Sequence, residues 1–170
     1  MKPFIFKILA PAFLIGLLAG GTLAPRPALA IGGNEEEPTA SDATRQQYET
    51  AKSAIDAGRY SVAIPILQNI VKVEPKNANA WNLLAFSNRK LKKYDAALGF
   101  YRTALALDPE HLGAHEYLGE LYLATGDLKS ALTLRDRLQD LCRGGCEELD
   151  DLDKAITAFR KSGGKAASGS

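Results

Sequence analysis

The chain has 170 residues, with 21 Lys and Arg against 20 Asp and Glu, a formal net charge of +1, and 46% apolar side chains. This balance excludes a strongly basic nucleic-acid binder and an acidic disordered tail. Two Cys in such a length exclude a disulfide-dense miniprotein, and the length suits one domain.

Residues 1–30 contain Lys2, Lys7 and Arg26 and no acid, so every acid and all other bases lie after Ala30 and leave that part slightly acidic. Ile8 to Leu18 is almost wholly apolar, broken only by Pro11 and Gly16, and Ala28-Leu29-Ala30 closes the stretch. A positive start, an apolar middle and an Ala-x-Ala end form the pattern of a cleavable secretory signal peptide. The rival, a retained anchor, is disfavoured because Ile8 to Ala24 barely reaches the ~20 residues of a spanning helix and Pro11, Pro25 and Pro27 interrupt it. The expectation is an exported protein, periplasmic or secreted, cleaved after Ala30 and without a stable membrane span.

Residues 31–43 (IGGNEEEPTASDA) are rich in Gly, Glu and Pro and lack periodicity, which predicts a flexible linker. Residues 162–170 (SGGKAASGS) predict a disordered tail for the same reason. Between them the apolar residues recur at i, i+3, i+4 and i+7, the period of amphipathic helices, so the fold class is all-α. Breakers fall at Ala57-Gly58-Arg59, Glu74-Pro75, Asp108-Pro109, Gly126-Asp127 and Gly144-Gly145. The shift that carries Pro75 onto Pro109 also aligns Ala63 with Ala97 and Ala131, and Tyr60 with Tyr94 and Leu128. A period of this length marks stacked helical repeats.

The middle unit carries Trp81, Leu84, Ala97, Tyr101, Ala104 and Pro109, a spacing that resembles the tetratricopeptide repeat. It departs at Ala85 and Asn88, where that family usually has Gly and Tyr. The third unit restores Leu118-Gly119 and Tyr122 but has Arg135 at the usual aromatic position and lacks the final Pro. The first unit keeps Ala51, Tyr60, Ala63 and Pro75. The resemblance implies an α-solenoid of three helix-turn-helix units over 44–77, 78–111 and 112–145. Leu149, Leu152, Ile156 and Phe159 then form the apolar stripe of a helix over 147–161, the expected cap on the open end of the stack. Pro65 falls inside the second helix of the first unit. It costs little if that helix starts near Tyr60, which puts it at the edge of the first turn.

In the family, the first helix of each unit lines a groove that grips a partner peptide. The resemblance assigns to this groove Arg45, Tyr48, Lys52 and Ile55 in the first unit, Asn79, Asn82, Phe86 and Arg89 in the second, and Glu116, Glu120 and Leu123 in the third. Tyr48-Lys52-Ile55, Asn82-Phe86-Arg89 and Glu116-Glu120-Leu123 are each i, i+4, i+7 runs on one helix face. The bases lie toward the start and the acids toward the end. This implies a protein or peptide partner that presents acids to the first unit and bases to the third, anchored on Tyr48 and Phe86. The rival reading of these charges is a solvated helix face. The best-known branch clamps a C-terminal carboxylate with bases and Asn in its first and third units, and Glu116 and Glu120 in the third unit here do not suit that mode.

Cys142 and Cys146 are the only cysteines, and an even count in an exported chain suggests a disulfide. The alternative is a redox or metal-carrier dithiol, with the repeats docking a client. Redox pairs usually have two intervening residues rather than three, and no His follows Cys146. His111 and His115 are four apart, but His111 precedes the helix and His115 takes the place of Trp81, so packing is favoured over metal. Glu116 and Glu120 lack a nearby nucleophile. No phosphate loop is present. The expectation is therefore a non-enzymatic interaction module of the cell envelope with no cofactor, no metal and no nucleic-acid partner. Oligomeric state and partner identity do not follow from these residues.

Overall fold

The structure, a computed structural model, describes residues 40–164. The expected signal peptide, most of the linker and residues 165–170 lie outside them. The described residues form α1 (Ala40–Asp56), α2 (Tyr60–Val73), α3 (Ala78–Lys90), α4 (Tyr94–Leu107), α5 (Leu112–Ala124), α6 (Leu128–Leu141) and α7 (Glu147–Lys161), with no strand among them. Helices α2, α4 and α6 start at Tyr60, Tyr94 and Leu128, and α3 and α5 at Ala78 and Leu112, so one constant interval separates equivalent helices. No helix among the described residues is long and apolar enough to cross a membrane.

Each pair packs because small residues let the helices approach. Ala63, Ala97 and Ala131, one per unit at the repeat interval, have no exposed surface. The space between helices is filled by Leu67, Ile70, Leu84, Tyr101, Leu121 and Leu138, each at most 2% exposed. Burying an aliphatic side chain of this size contributes roughly 1.5–3 kcal/mol. The first helices also meet one another in sequence, α1 with α3, α3 with α5 and α5 with α7. They make one continuous face, and α7 stands where the first helix of a fourth unit would stand.

The turns between paired helices repeat a backbone motif. In the first unit Gly58 N–H donates to Ile55 O and Arg59 N–H to Ala54 O. Lys92 to Arg89 O and Lys93 to Asn88 O repeat it, as do Gly126 to Leu123 O and Asp127 to Tyr122 O. This two-bond helix ending requires a left-handed residue, supplied by Gly58 (φ 70°), Lys92 (φ 59°) and Gly126 (φ 86°).

One boundary and two local details differ from the sequence-based expectation. Ala40 to Ala43, placed in the linker, belong to α1. Asp42 lies in the first turn, where a carboxylate suits the helix dipole, and accepts from Arg45 one turn on at 2.7 Å. Ser162 to Gly164, placed in the tail, close α7: Gly163 N–H donates to Arg160 O and Gly164 N–H to Phe159 O, both glycines having positive φ. Helix α2 does start at Tyr60, but Pro65 is its sixth residue and so lies beyond the first turn. Its ring is exposed, and water can reach the carbonyl it leaves unpaired.

Candidate functional site

The face made by α1, α3, α5 and α7 gathers most of the predicted groove residues, in an arrangement more closed than expected. Arg89, near the end of α3, lies 5.3 Å from the Phe86 ring centroid and 5.7 Å from that of Tyr117 on α5. Its guanidinium meets Glu120 of α5 at 2.5 Å, with only 13% of the Arg89 side chain exposed. The two charges assigned to opposite ends of the groove therefore neutralise each other. The cause is geometric: α3 and α5 are neighbours, a long Arg side chain reaches one helix over, and a nearly buried cation needs a counter-charge. Burial works against the Arg89 charge, but Tyr101, Glu120 and Glu116 more than offset it and hold the group charged.

Beneath this pair the site is crowded with polar atoms. The Tyr101 hydroxyl lies beside the Arg89 guanidinium. That hydroxyl, Nε of Arg89 and Oδ1 of Asn82 are all buried without a well-formed hydrogen bond. Burial raises the Tyr101 hydroxyl far above its usual range, so it stays protonated. Glu116, only 7% exposed, is pushed up to about 8, first by burial and then by Glu120, Asp151 and Glu148 around it. Glu116 is thus mostly neutral at pH 7. Tyr117 is pushed up to about 12 by burial and by Glu116 and Glu120.

The remaining predicted residues divide by depth. Arg45 is exposed and paired with Asp42; Lys52 is exposed, with Glu49 at 3.7 Å; Asn79 is exposed. Tyr48 and Ile55 are half-buried against the core of the first unit. Asn82 is 5% exposed, with its amide near Gly113 at the start of α5. Leu123 is not a groove residue. It is 6% exposed and packs with Ala131, Leu138, Leu152, Ile156 and Phe159, because α7 docks on α5 and α6 at that point.

Five residues beyond those expected from sequence belong to this site. Tyr60 lies edge-on to Phe86 at 6.0 Å and Phe86 lies 4.8 Å from Tyr117, making an aromatic ladder from α2 to α5. Nζ of Lys90 is 5.8 Å from the centroids of both Tyr60 and Phe86. Glu148 and Asp151 on α7 approach Glu116 closely enough to raise its proton affinity. Tyr117 precedes Glu120 by three positions, so helical spacing places it on the same face. Glu148 and Asp151 are discoverable from the repeat register, which makes α7 the next first helix rather than only a lid.

The cysteines are joined, with a Cα–Cα distance of 5.7 Å. Gly145 (φ 86°) turns the chain between them, and the bridge ties the residue that ends α6 to the residue that begins α7. The histidines cap and pack. Nδ1 of His111 accepts from Ala114 N–H at 3.2 Å as the cap of α5, and Nε2 of His115 meets Pro109 O at 3.0 Å. Among the described residues no group of three or more His, Cys, Asp or Glu is arranged to hold a metal ion.

Two tetratricopeptide repeat family models match the chain, at residues 48–111 and 89–140, so that together they span more than half of it. Superkiller complex protein 3 of Mus musculus is 34% identical over 74 residues, covering 44% of this chain; the chain spans only 5% of that relative's length. The TPR2B domain of yeast Sti1, solved as a complex with pHsp70, superposes with a TM-score of 0.64 at 16% identity, over 70% of this chain and 97% of that one. The Yersinia enterocolitica type III secretion chaperone SycD, in complex with a peptide of the translocator YopD, superposes with a TM-score of 0.62 at 20% identity, over 72% and 93%. The sequence motif, the regular helical register and these matches agree: the chain belongs to the tetratricopeptide repeat family.

Proposed function

We propose that this protein is a non-enzymatic adaptor of the cell envelope that holds a segment of another protein against the face made by α1, α3, α5 and α7. The observation that carries the reading is the polarity of that face. Glu116, Glu120, Glu148 and Asp151 cluster where α5 meets α7, and even with Glu116 mostly neutral, Arg89 on Glu120 and Lys154 on Asp151, this end keeps an excess of acid. Lys52 and Lys90 lie on the α1–α3 side, with Lys90 over the aromatic ladder. A partner segment with a Lys or Arg for the α5–α7 end and an Asp or Glu for the α1–α3 end fits this pattern, with an apolar side chain resting on Phe86 and Tyr48. Solved relatives of the same fold carry peptides, as SycD does with its YopD segment, which supports a peptide-holding role. Export is supported by the signal-peptide pattern in residues 1–30 and by the disulfide, which suits an oxidising compartment.

The test is peptide capture by calorimetry, using sequences with acid and base at opposite ends and the same sequences reversed. The expected result is preference for one polarity, with capture weakened ten-fold or more by the double charge reversal Glu148→Lys, Asp151→Lys. Equal capture by the double variant overturns the site. For export, the first residue of the protein recovered outside the cytoplasm is expected to be Ile31, and retention of the intact chain in the cytoplasm overturns that part.

A further inference from the structure

We propose that Glu116 is the seat for the partner's cation at the α5–α7 end: a Lys or Arg side chain of the captured segment lodges against this carboxyl and displaces its proton to water, so that capture and proton release are one event. This seat rests on the peptide-holding face proposed above, and it names which of the acids there selects the cation.

Of the four acids at this end, Glu116 is the buried one, at 7% exposed. Glu120 has Arg89 as its counter-charge and Asp151 has Lys154, whereas Glu116 has neither a hydrogen bond nor an ion pair among the described residues. A buried carboxylate without a partner is costly, so the group keeps its proton. The acid form carries an O–H that finds no acceptor, so the protein alone satisfies neither form. The same place one repeat earlier holds Asn82, 5% exposed, whose Oδ1 is also buried without a hydrogen bond. The amide nitrogen of Asn82 lies 3.5 Å from where a Cβ on Gly113 would stand, and Gly113 is one turn before Glu116 on α5. Two unpartnered acceptor groups thus lie about a turn apart on one face, and both suit a donor brought from outside.

The surroundings of Glu116 favour a charged donor over a neutral one. Burial first, then Glu120 on its own helix and Asp151 and Glu148 on α7, raise its proton affinity to about 8. Arg89 of α3 opposes them, but its influence is the smallest of these and it already pairs with Glu120. The other titratable and charged neighbours face elsewhere: Tyr101 of α4 meets Arg89, Arg137 of α6 acts on His115, and His111 lies near Glu148. Tyr117 stays protonated, and both histidines bind protons less readily than the ordinary 6.5. Glu116 is therefore the member of this set that changes charge between pH 7 and 9. A guanidinium placed against it supplies the missing counter-charge, and the O–H proton leaves as the ion pair forms.

Titration calorimetry of the full chain tests this, with an acetylated, amidated peptide carrying Asp at one end and Arg at the other, in two buffers of different ionisation enthalpy. The expected result is release of about 0.9 proton per peptide at pH 7 and about 0.1 at pH 9, with capture about ten-fold tighter at pH 9. The same peptide with citrulline in place of Arg should release none, an arm that needs no variant. Glu116→Gln, shown to be folded by an unchanged far-ultraviolet circular dichroism spectrum, should release no proton and lose the pH dependence. Capture of the Arg peptide without proton release at pH 7 overturns the seat and leaves the groove standing. So does release that persists in Glu116→Gln or with the citrulline peptide. No capture at either pH, in either orientation of the peptide, overturns both.

Discussion

Trp81 and His115 occupy the same place in consecutive repeats and make the same bond. Nε1 of Trp81 donates to Pro75 O at 2.9 Å, and Nε2 of His115 donates to Pro109 O at 3.0 Å, in each case six positions back. A carbonyl only accepts, so the His115 proton sits on Nε2. Its Nδ1 is the basic atom, buried without a partner. The exchange of an indole for an imidazole keeps the bond and adds a group that titrates.

That group makes the fold sensitive to acid. Burial lowers the proton affinity of both His115 and His111 below the ordinary value of 6.5. The unfolded chain therefore takes up these protons first, and stability present above pH 6.5 falls as the pH drops below it. Protonating Nδ1 of His111 also removes the lone pair that caps α5. Urea midpoints between pH 7.5 and 5 should decline, and His115→Trp should flatten part of the decline. An unchanged slope in that variant assigns the acid sensitivity elsewhere.

Glu116 acts in the opposite direction. Its carboxyl titrates near 8 in the fold and at its ordinary 4.5 when unfolded. The stability it contributes is complete below pH 4.5 and is lost as the pH rises through 8. Glu116→Gln mimics the neutral form without changing its shape. It should match the parent chain near pH 4 and exceed it increasingly up to pH 9, as judged by thermal midpoints. Equal midpoints at both pH values mean the carboxyl is ionised and solvated in the fold.

Lys92 is the non-glycine member of a set whose other members are Gly58 and Gly126. Holding an L-residue left-handed costs roughly 1 kcal/mol. Lys92→Gly should therefore raise stability by about 0.5–1 kcal/mol, read from urea unfolding. Lys92→Ala should give no such gain, because it keeps the Cβ. If both variants behave alike, the backbone strain is not the reason.

Gly119 takes the place that Ala51 and Ala85 hold in the other units, and the reason lies in α7. A Cβ there would come within 2.7 Å of both terminal carbons of Leu152, which is wholly buried. Gly119→Ala should cost about 1–3 kcal/mol, as overpacking usually does. Leu152→Ala alone should also destabilise, by opening a cavity. In the double variant the losses should fall short of additive by about 0.5 kcal/mol or more. Strict additivity shows that the two residues do not compete for space.

The repeat is legible in the sequence because its requirements are local and recur. A small residue at the same place in every unit, and a left-handed turn between paired helices, leave marks that one sequence can show. Pairing between helices leaves no such mark. Glu116, Glu120 and Leu123 share a spacing on α5, but spacing does not say that α7 covers Leu123 while Arg89 reaches Glu120 from α3. The pattern identifies each helix face and is silent on whether its charges are free. The start of α1 is hidden because Ala40 to Ala43 carry no apolar period, and a capping ion pair does not reveal itself as one.

The Cys142–Cys146 bridge joins the end of α6 to the start of α7, and α7 carries both Leu152 for the core and Glu148 and Asp151 for the acidic end of the face. Closing a loop of this length removes unfolded-state entropy worth about 2 kcal/mol in the chain-entropy model. Reduction, or Cys→Ser at both positions, should lower the thermal midpoint accordingly. The backbone at Gly144 and Gly145 is exposed and leans on few neighbours, so the first turn of α7 should fray when the tether is cut. Hydrogen exchange should accelerate at Glu148 to Asp151 while the amides of α2 and α4 keep their protection. Uniform acceleration across all helices would instead mean that the bridge supports the whole stack, with α7 inseparable from the repeats it closes.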